Sequence, residues 1–92
     1  MVFVINNLKY DTDKMECIST KCQYQWKSNL GNYYLPARDV NLFKSSRGRW
    51  LLTYKANYSV WAKVLTEDEA KNMLMDFDID TYEKIFGELE EA

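Results

Sequence analysis

DVNLFKSSRGRWLLTYKANYSVWAKVLTEDEAKNMLMDF, residues 39–77, is the stretch that decides the architecture of this chain. "DVNLFK" and "RWLLTYK" read as strands joined by Ser45-Ser46-Arg47-Gly48, a hairpin turn with glycine where a positive φ is needed. Alternation in the second strand puts Trp50, Leu52 and Tyr54 on one face and Arg49, Leu51, Thr53 and Lys55 on the other. Asn57 marks the next turn, and "YSVWAKVL" forms a further strand, with Val60, Ala62 and Val64 opposed to Trp61 and Lys63. The pattern then changes period. Thr66-Glu67-Asp68-Glu69 is a capping box, and Ala70, Met73, Leu74 and Phe77 follow at helical spacing as one apolar stripe.

Toward the C-terminus the same device recurs. Asp80-Thr81-Tyr82-Glu83 offers a second cap, and Tyr82, Ile85, Phe86 and Leu89 repeat the stripe. Toward the N-terminus, Phe3 to Ile5 and Leu8 to Tyr10 flank Asn6-Asn7, and asparagine tolerates the left-handed backbone of a two-residue turn. Four consecutive apolar residues suggest that this first strand is covered on both faces. Thr12 or Asp11 is expected to cap a short helix over Asp13 to Ile18. Within 19–37, bulk at Tyr24, Trp26, Tyr33, Tyr34 and Leu35 is punctuated by Ser28, Asn29, Gly31, Asn32 and Pro36. A short strand near Gln23–Lys27 and then a loop are expected there. The whole reads as an α+β domain, with one antiparallel sheet of about four to five strands, made of the N-terminal hairpin, the central hairpin and the following strand, and two short C-terminal amphipathic helices packed on it.

Ninety-two residues make one domain, 1–92, and a hydrophobic content of 47% is enough for a core, which excludes a wholly disordered chain. No segment approaches the ~18 apolar residues of a membrane span. Met1-Val2-Phe3-Val4-Ile5 is too short, and lacks the basic flank, to serve as a signal peptide, so a cytoplasmic location in a bacterial host is expected. In that compartment Cys17 and Cys22 read as ordinary thiols rather than a disulfide. Without histidine a zinc set would need carboxylates, and no metal or other cofactor is expected. Charge is unevenly spread: residues 1–64 carry a net +6 and residues 65–92 a net −8.

The opening hairpin ending in "YDT", the strand–turn–strand "LFKSSRGRWLLTY", the helix start "LTEDEA" and the closing "YEKIFGELEEA" together resemble a family of small accessory proteins of phages and integrative mobile elements of Firmicutes. The resemblance implies an antiparallel sheet with C-terminal helices and no catalytic residues. Most such proteins have no assigned activity. Accessory proteins on these elements include anti-CRISPR proteins, which bind effector complexes or their guide RNA. The chain departs from the pattern at Asn6-Asn7, where the relatives tend to carry Asn-Gly, and lacks their glycine-rich stretch after the second hairpin.

The residues themselves argue against catalysis. Absent histidine removes the commonest general base, and Gly31, Gly48 and Gly87 form no phosphate-binding loop. Asp76-Phe77-Asp78-Ile79-Asp80 has the alternate-acid spacing of a calcium loop. Thr81 and Gly87 stand where that loop needs glycine and glutamate, so the segment reads instead as a linker whose Asp80 caps the last helix. Two surfaces remain. Lys44, Arg47, Arg49, Lys55 and Lys63 with Trp61 interleaved suit phosphate gripping and base stacking, with Arg49, Lys55 and Lys63 on the sheet face away from the helices and Arg47 at the hairpin tip. The plain alternative is a solvated sheet face with Trp61 tucked under the 19–37 loop. Glu67, Asp68, Glu69, Asp76, Asp78, Glu83, Glu88, Glu90 and Glu91 form an acidic helical surface able to occupy a basic channel in place of phosphates; its plain alternative is a solubilising helix face.

The expectation is therefore a non-enzymatic, mobile-element-encoded binding protein that inhibits a host defence complex, with a CRISPR effector or its guide RNA complex as the leading partner. The basic and aromatic hairpin is expected to act ahead of the acidic helices. The alternative is a direct RNA or single-stranded DNA binding module in element maintenance, and a third is an oligomer-forming accessory domain.

Overall fold

The computed structural model describes residues 1–27, 31 and 33–92. The strands are β1 (Val2–Ile5), β2 (Leu8–Asp11), β3 (Glu16–Ser19), β4 (Gln25–Lys27), β5 (Tyr34–Pro36), β6 (Arg38–Lys44), β7 (Trp50–Ala56) and β8 (Ser59–Leu65). The helices α1 (Glu67–Phe77) and α2 (Ile79–Phe86) follow. The expected α+β class is thus present. Its main sheet has four antiparallel strands in the order β3-β6-β7-β8, while β1-β2 and β4-β5 form separate two-stranded ladders.

Turn chemistry fixes the ladders. Asn6 and Asn7 have φ of 52° and 63°, as do Asn57 and Tyr58 at 50° and 63°, so both hairpins turn through two left-handed residues. Gly48 supplies the positive φ between β6 and β7. The register sets Leu42, Trp50, Leu52 and Leu65 on one face, and these join Val40, Cys22, Ala70 and Leu74 in the core. The capping box of α1 forms as expected: the Thr66 hydroxyl accepts from Glu69 N at 3.1 Å, and the Glu69 carboxylate accepts from Thr66 N at 3.0 Å. Fully burying five large side chains, Trp50, Leu42, Leu51, Leu52 and Leu74, stabilises the fold by roughly 1.5–3 kcal/mol per aliphatic residue. The indole N–H of Trp50 is buried without a hydrogen-bond partner among the described residues; Lys44 Nζ lies 5.0 Å from its ring centroid.

Several expectations are corrected. β1 is not covered on both faces: Val2 and Val4 are exposed, because this strand pairs only with β2. The helix expected over Asp13 to Ile18 is only a 3₁₀ turn, Thr12–Lys14, capped by Asp11, after which Glu16–Ser19 extends to pair with β6. The expected strand at Gln23–Lys27 occupies Gln25–Lys27, and the loop after it contains a second strand, Tyr34–Pro36. The punctuation expected at Ser28, Asn29 and Asn32 lies outside the described residues. Asp78, not Asp80, caps α2, and α2 ends before Leu89, which is exposed.

Candidate nucleic-acid interface

A groove of about 380 Å³ runs between the N-terminal hairpin and the β6–β7 turn. One wall comes from Leu8–Asp11 with Lys14 and Met15, the other from Ser45, Ser46, Arg47 and Arg49. The turn wall is held by its own backbone. Gly48 N donates to Ser45 O at 2.9 Å, Ser45 N donates to Arg49 O at 2.8 Å, and the Ser45 hydroxyl accepts from Arg49 N at 3.0 Å. The opposite wall is anchored where Thr12 N donates to Met1 O at 2.9 Å.

Four cations, Lys9, Lys14, Arg47 and Arg49, therefore converge on one groove that has a single carboxylate, Asp11. That carboxylate is already engaged, accepting from Asp13 N at 3.1 Å, and Asp13 itself lies 3.5 Å from the N-terminal ammonium. None of the four cations forms an ion pair among the described residues. All four are exposed. Guanidinium forks bind phosphate in bidentate fashion and ammonium groups add point charge, so the arrangement suits a polyanion.

The remaining members of the expected basic surface are dispersed. Lys55 does lie on the face away from the helices, where it pairs with Asp39 at 3.1 Å. Lys63 and Trp61 do not. Their register partners are Leu52 and Tyr54, so both project on the helix-bearing side; alternation along β8 dictates this once the helices cover the Leu52 face. Lys44, opposite Trp50, shares that side. The structure thus brings Arg47 and Arg49 together with Lys9 and Lys14, and separates them from Lys44, Lys55, Trp61 and Lys63. Lys9 and Lys14 carry no local sequence signal that would have joined them to Arg47.

The acidic surface also changes. Glu67 and Asp68 in the first turn of α1 and Asp76 in its last are exposed. Asp78 is withdrawn from solvent as the cap between the helices, where it accepts from Ser19 Oγ and Thr81 Oγ1. Glu83 is half-buried and accepts from Leu89 N at 3.1 Å. The Ser19 hydroxyl holds the Asp78 carboxyl below its ordinary range, outweighing the effect of burial.

Cys17 is exposed on β3 and Cys22 is buried in the core, both as free thiols. Among the described residues no three of Cys, Asp and Glu gather as a metal set would require, and no helix is long and apolar enough to cross a membrane. No protein-family model, curated protein or solved structure matches the chain.

Proposed function

We propose that this chain is a non-enzymatic binding protein, encoded by a mobile element, that inhibits a host defence ribonucleoprotein by gripping its nucleic-acid backbone. A CRISPR effector with its guide RNA is the partner class that this chemistry fits. The observation that supports the reading is the gathering of Lys9, Lys14, Arg47 and Arg49 around one groove whose described lining holds a single carboxylate, Asp11. A groove lined by cations without ion pairs attracts phosphates over a Debye length of about 8–10 Å, speeding encounter with a ribonucleoprotein. The acidic helices stand as a second surface for the protein part of such a complex.

Tagged protein recovered from a CRISPR-bearing Firmicute lysate, with and without nuclease, tests the reading. A nuclease-resistant effector should co-purify with the wild type and be lost from Arg47→Glu/Arg49→Glu. Retention by that double variant removes the groove from the interface. Recovery of nucleic acid alone, abolished by nuclease, replaces the inhibitor with a direct RNA or single-stranded DNA binder of element maintenance.

A further inference from the structure

At the other end of β7 lies a second cleft, of about 280 Å³, walled by aromatic rings from three parts of the fold. Tyr24 and Trp26 come from β4 and the chain before it, Tyr54 from β7 and Trp61 from β8. Lys27 and Asn57 add polar lining among the described residues.

The cleft is built rather than incidental. The Trp61 indole N–H donates to Ala56 O at 3.0 Å, which fixes the ring plane while leaving the residue 49% exposed. Tyr24 and Tyr54 pack with ring centroids 4.5 Å apart, and Lys63 Nζ lies 5.6 Å from the Tyr24 centroid. Exposed aromatic surface held in fixed planes costs little further ordering when a flat ligand enters. The charge in and beside the cleft selects among flat ligands. Lys27 lines it, Lys63 stands over one of its rings, and among the described residues no carboxylate lines it, so a cationic guest is disfavoured and an anionic one favoured. Asn57 offers both a donor and an acceptor to the edge of a heterocycle.

We propose that this cleft is a stacking slot for one unpaired nucleobase of a single strand, with Lys27 on the adjoining phosphate and Asn57 on the base edge. The slot deepens the nucleic-acid reading of the groove and rests on it: groove and slot occupy opposite ends of β7, about 20 Å apart at ~3.3 Å per residue. The groove holds backbone by charge and the slot holds a base by its face.

The test titrates the intact protein with octauridylate and octathymidylate at three salt concentrations, following anisotropy of an end-labelled strand. Wild type, Trp61→Ala, Trp26→Ala, Trp61→Phe and Arg47→Glu/Arg49→Glu are compared, with thermal melts as a check on folding. Loss of a base stack should weaken binding roughly 5- to 150-fold in each alanine variant, leave the salt slope unchanged and be largely restored in Trp61→Phe. The charge-reversal variant should instead flatten the salt slope. Equal binding by folded Trp61→Ala and wild type overturns the slot, and if binding still falls in the Arg47→Glu/Arg49→Glu variant the groove stands. Absence of any binding by wild type to either strand also overturns the slot. The groove then answers separately to the Arg47-dependent capture of a ribonucleoprotein. A preference for the uridylate over the thymidylate strand identifies RNA as the source of the base.

Discussion

The Ser19 hydroxyl donates to the Asp78 carboxylate at 2.6 Å, a buried bond between residues 59 positions apart. A bulge makes it possible. Cys17 pairs with Phe43 and Ser19 with Leu42, so Ile18 is an extra residue and Ser19 is turned onto the helix-bearing face. Without that extra residue, alternation would send the hydroxyl to the opposite side of the sheet. Asp78 meanwhile closes α1, its N–H donating to Leu74 O at 2.7 Å, and opens α2 by accepting from Thr81 N. One residue thus joins the edge strand to both helices, its carboxylate holding β3 and α2 and its backbone N–H closing α1.

Ser19→Ala should therefore destabilise the fold by about 1.5–3 kcal/mol, the range for a hydrogen bond to a charged group. Asp78→Ala should cost more, since it also removes a helix cap, typically ~1 kcal/mol. Urea unfolding of both single variants and the double variant checks this. Strong non-additivity is expected because the two side chains share one bond.

Stability should fall at both ends of the pH range, for different groups. The Asp78 pKa is lowered on folding, so its contribution is complete above the ordinary carboxyl value of 3.8 and drains away as pH falls below it. Burial raises the Cys22 pKa from its ordinary 9.0, and burial with the neighbouring Tyr24 raises that of Tyr54 from 10.0. Both groups favour the protonated fold, so their contributions are complete below those ordinary values and are lost as pH rises past them. Thermal melts from pH 3 to 11 should show a plateau between about 4 and 9, and Asp78→Asn should flatten its acid side.

The two thiols should react at separate rates. Cys17 is exposed, whereas Cys22 is 5% exposed and its thiolate is further suppressed by burial and by the Asp78 charge. At pH 8, 5,5′-dithiobis(2-nitrobenzoate) should titrate one thiol quickly and the second only at the rate of local unfolding, with both reacting at once in denaturant.

Tyr58→Gly should stabilise the β7–β8 hairpin by about 1 kcal/mol, because the left-handed backbone at this position crowds a Cβ and suits glycine, and Tyr58 is 99% exposed. A higher midpoint in urea with an unchanged m-value is the expected signature.

Where neighbouring residues decide the structure, the sequence is readable. Asn6-Asn7, Gly48 and Asn57 announce their turns, and Thr66 with Glu69 announces α1. Where distant residues decide, it is not. Asp80 is the cap that the local sequence offers, and Ser19, from β3, fixes Asp78 in that role instead. β3 and β5, at four and three residues, are too short to display a period. The alternation of β8 correctly separates Trp61 and Lys63 from their neighbours, yet which face the helices cover is settled by packing elsewhere. Of the basic groove only the Arg47 wall is legible, since Lys9 and Lys14 reach it through the docking of a separate hairpin.

That docking has a consequence in time. The β6–β7–β8 meander closes through short turns, so its contacts are near neighbours in the chain and form at small entropic cost. The groove instead unites residues 8–15 with residues 45–49, across the whole of β3, β4, β5 and β6. During synthesis the N-terminal third emerges first, yet the opposite wall of the groove exists only after the central turn has been made. A nascent chain therefore carries Lys9 and Lys14 as isolated charges until residues 45–49 have been made. The charge density of the groove is therefore a property of the folded chain alone, present only once both walls are in place.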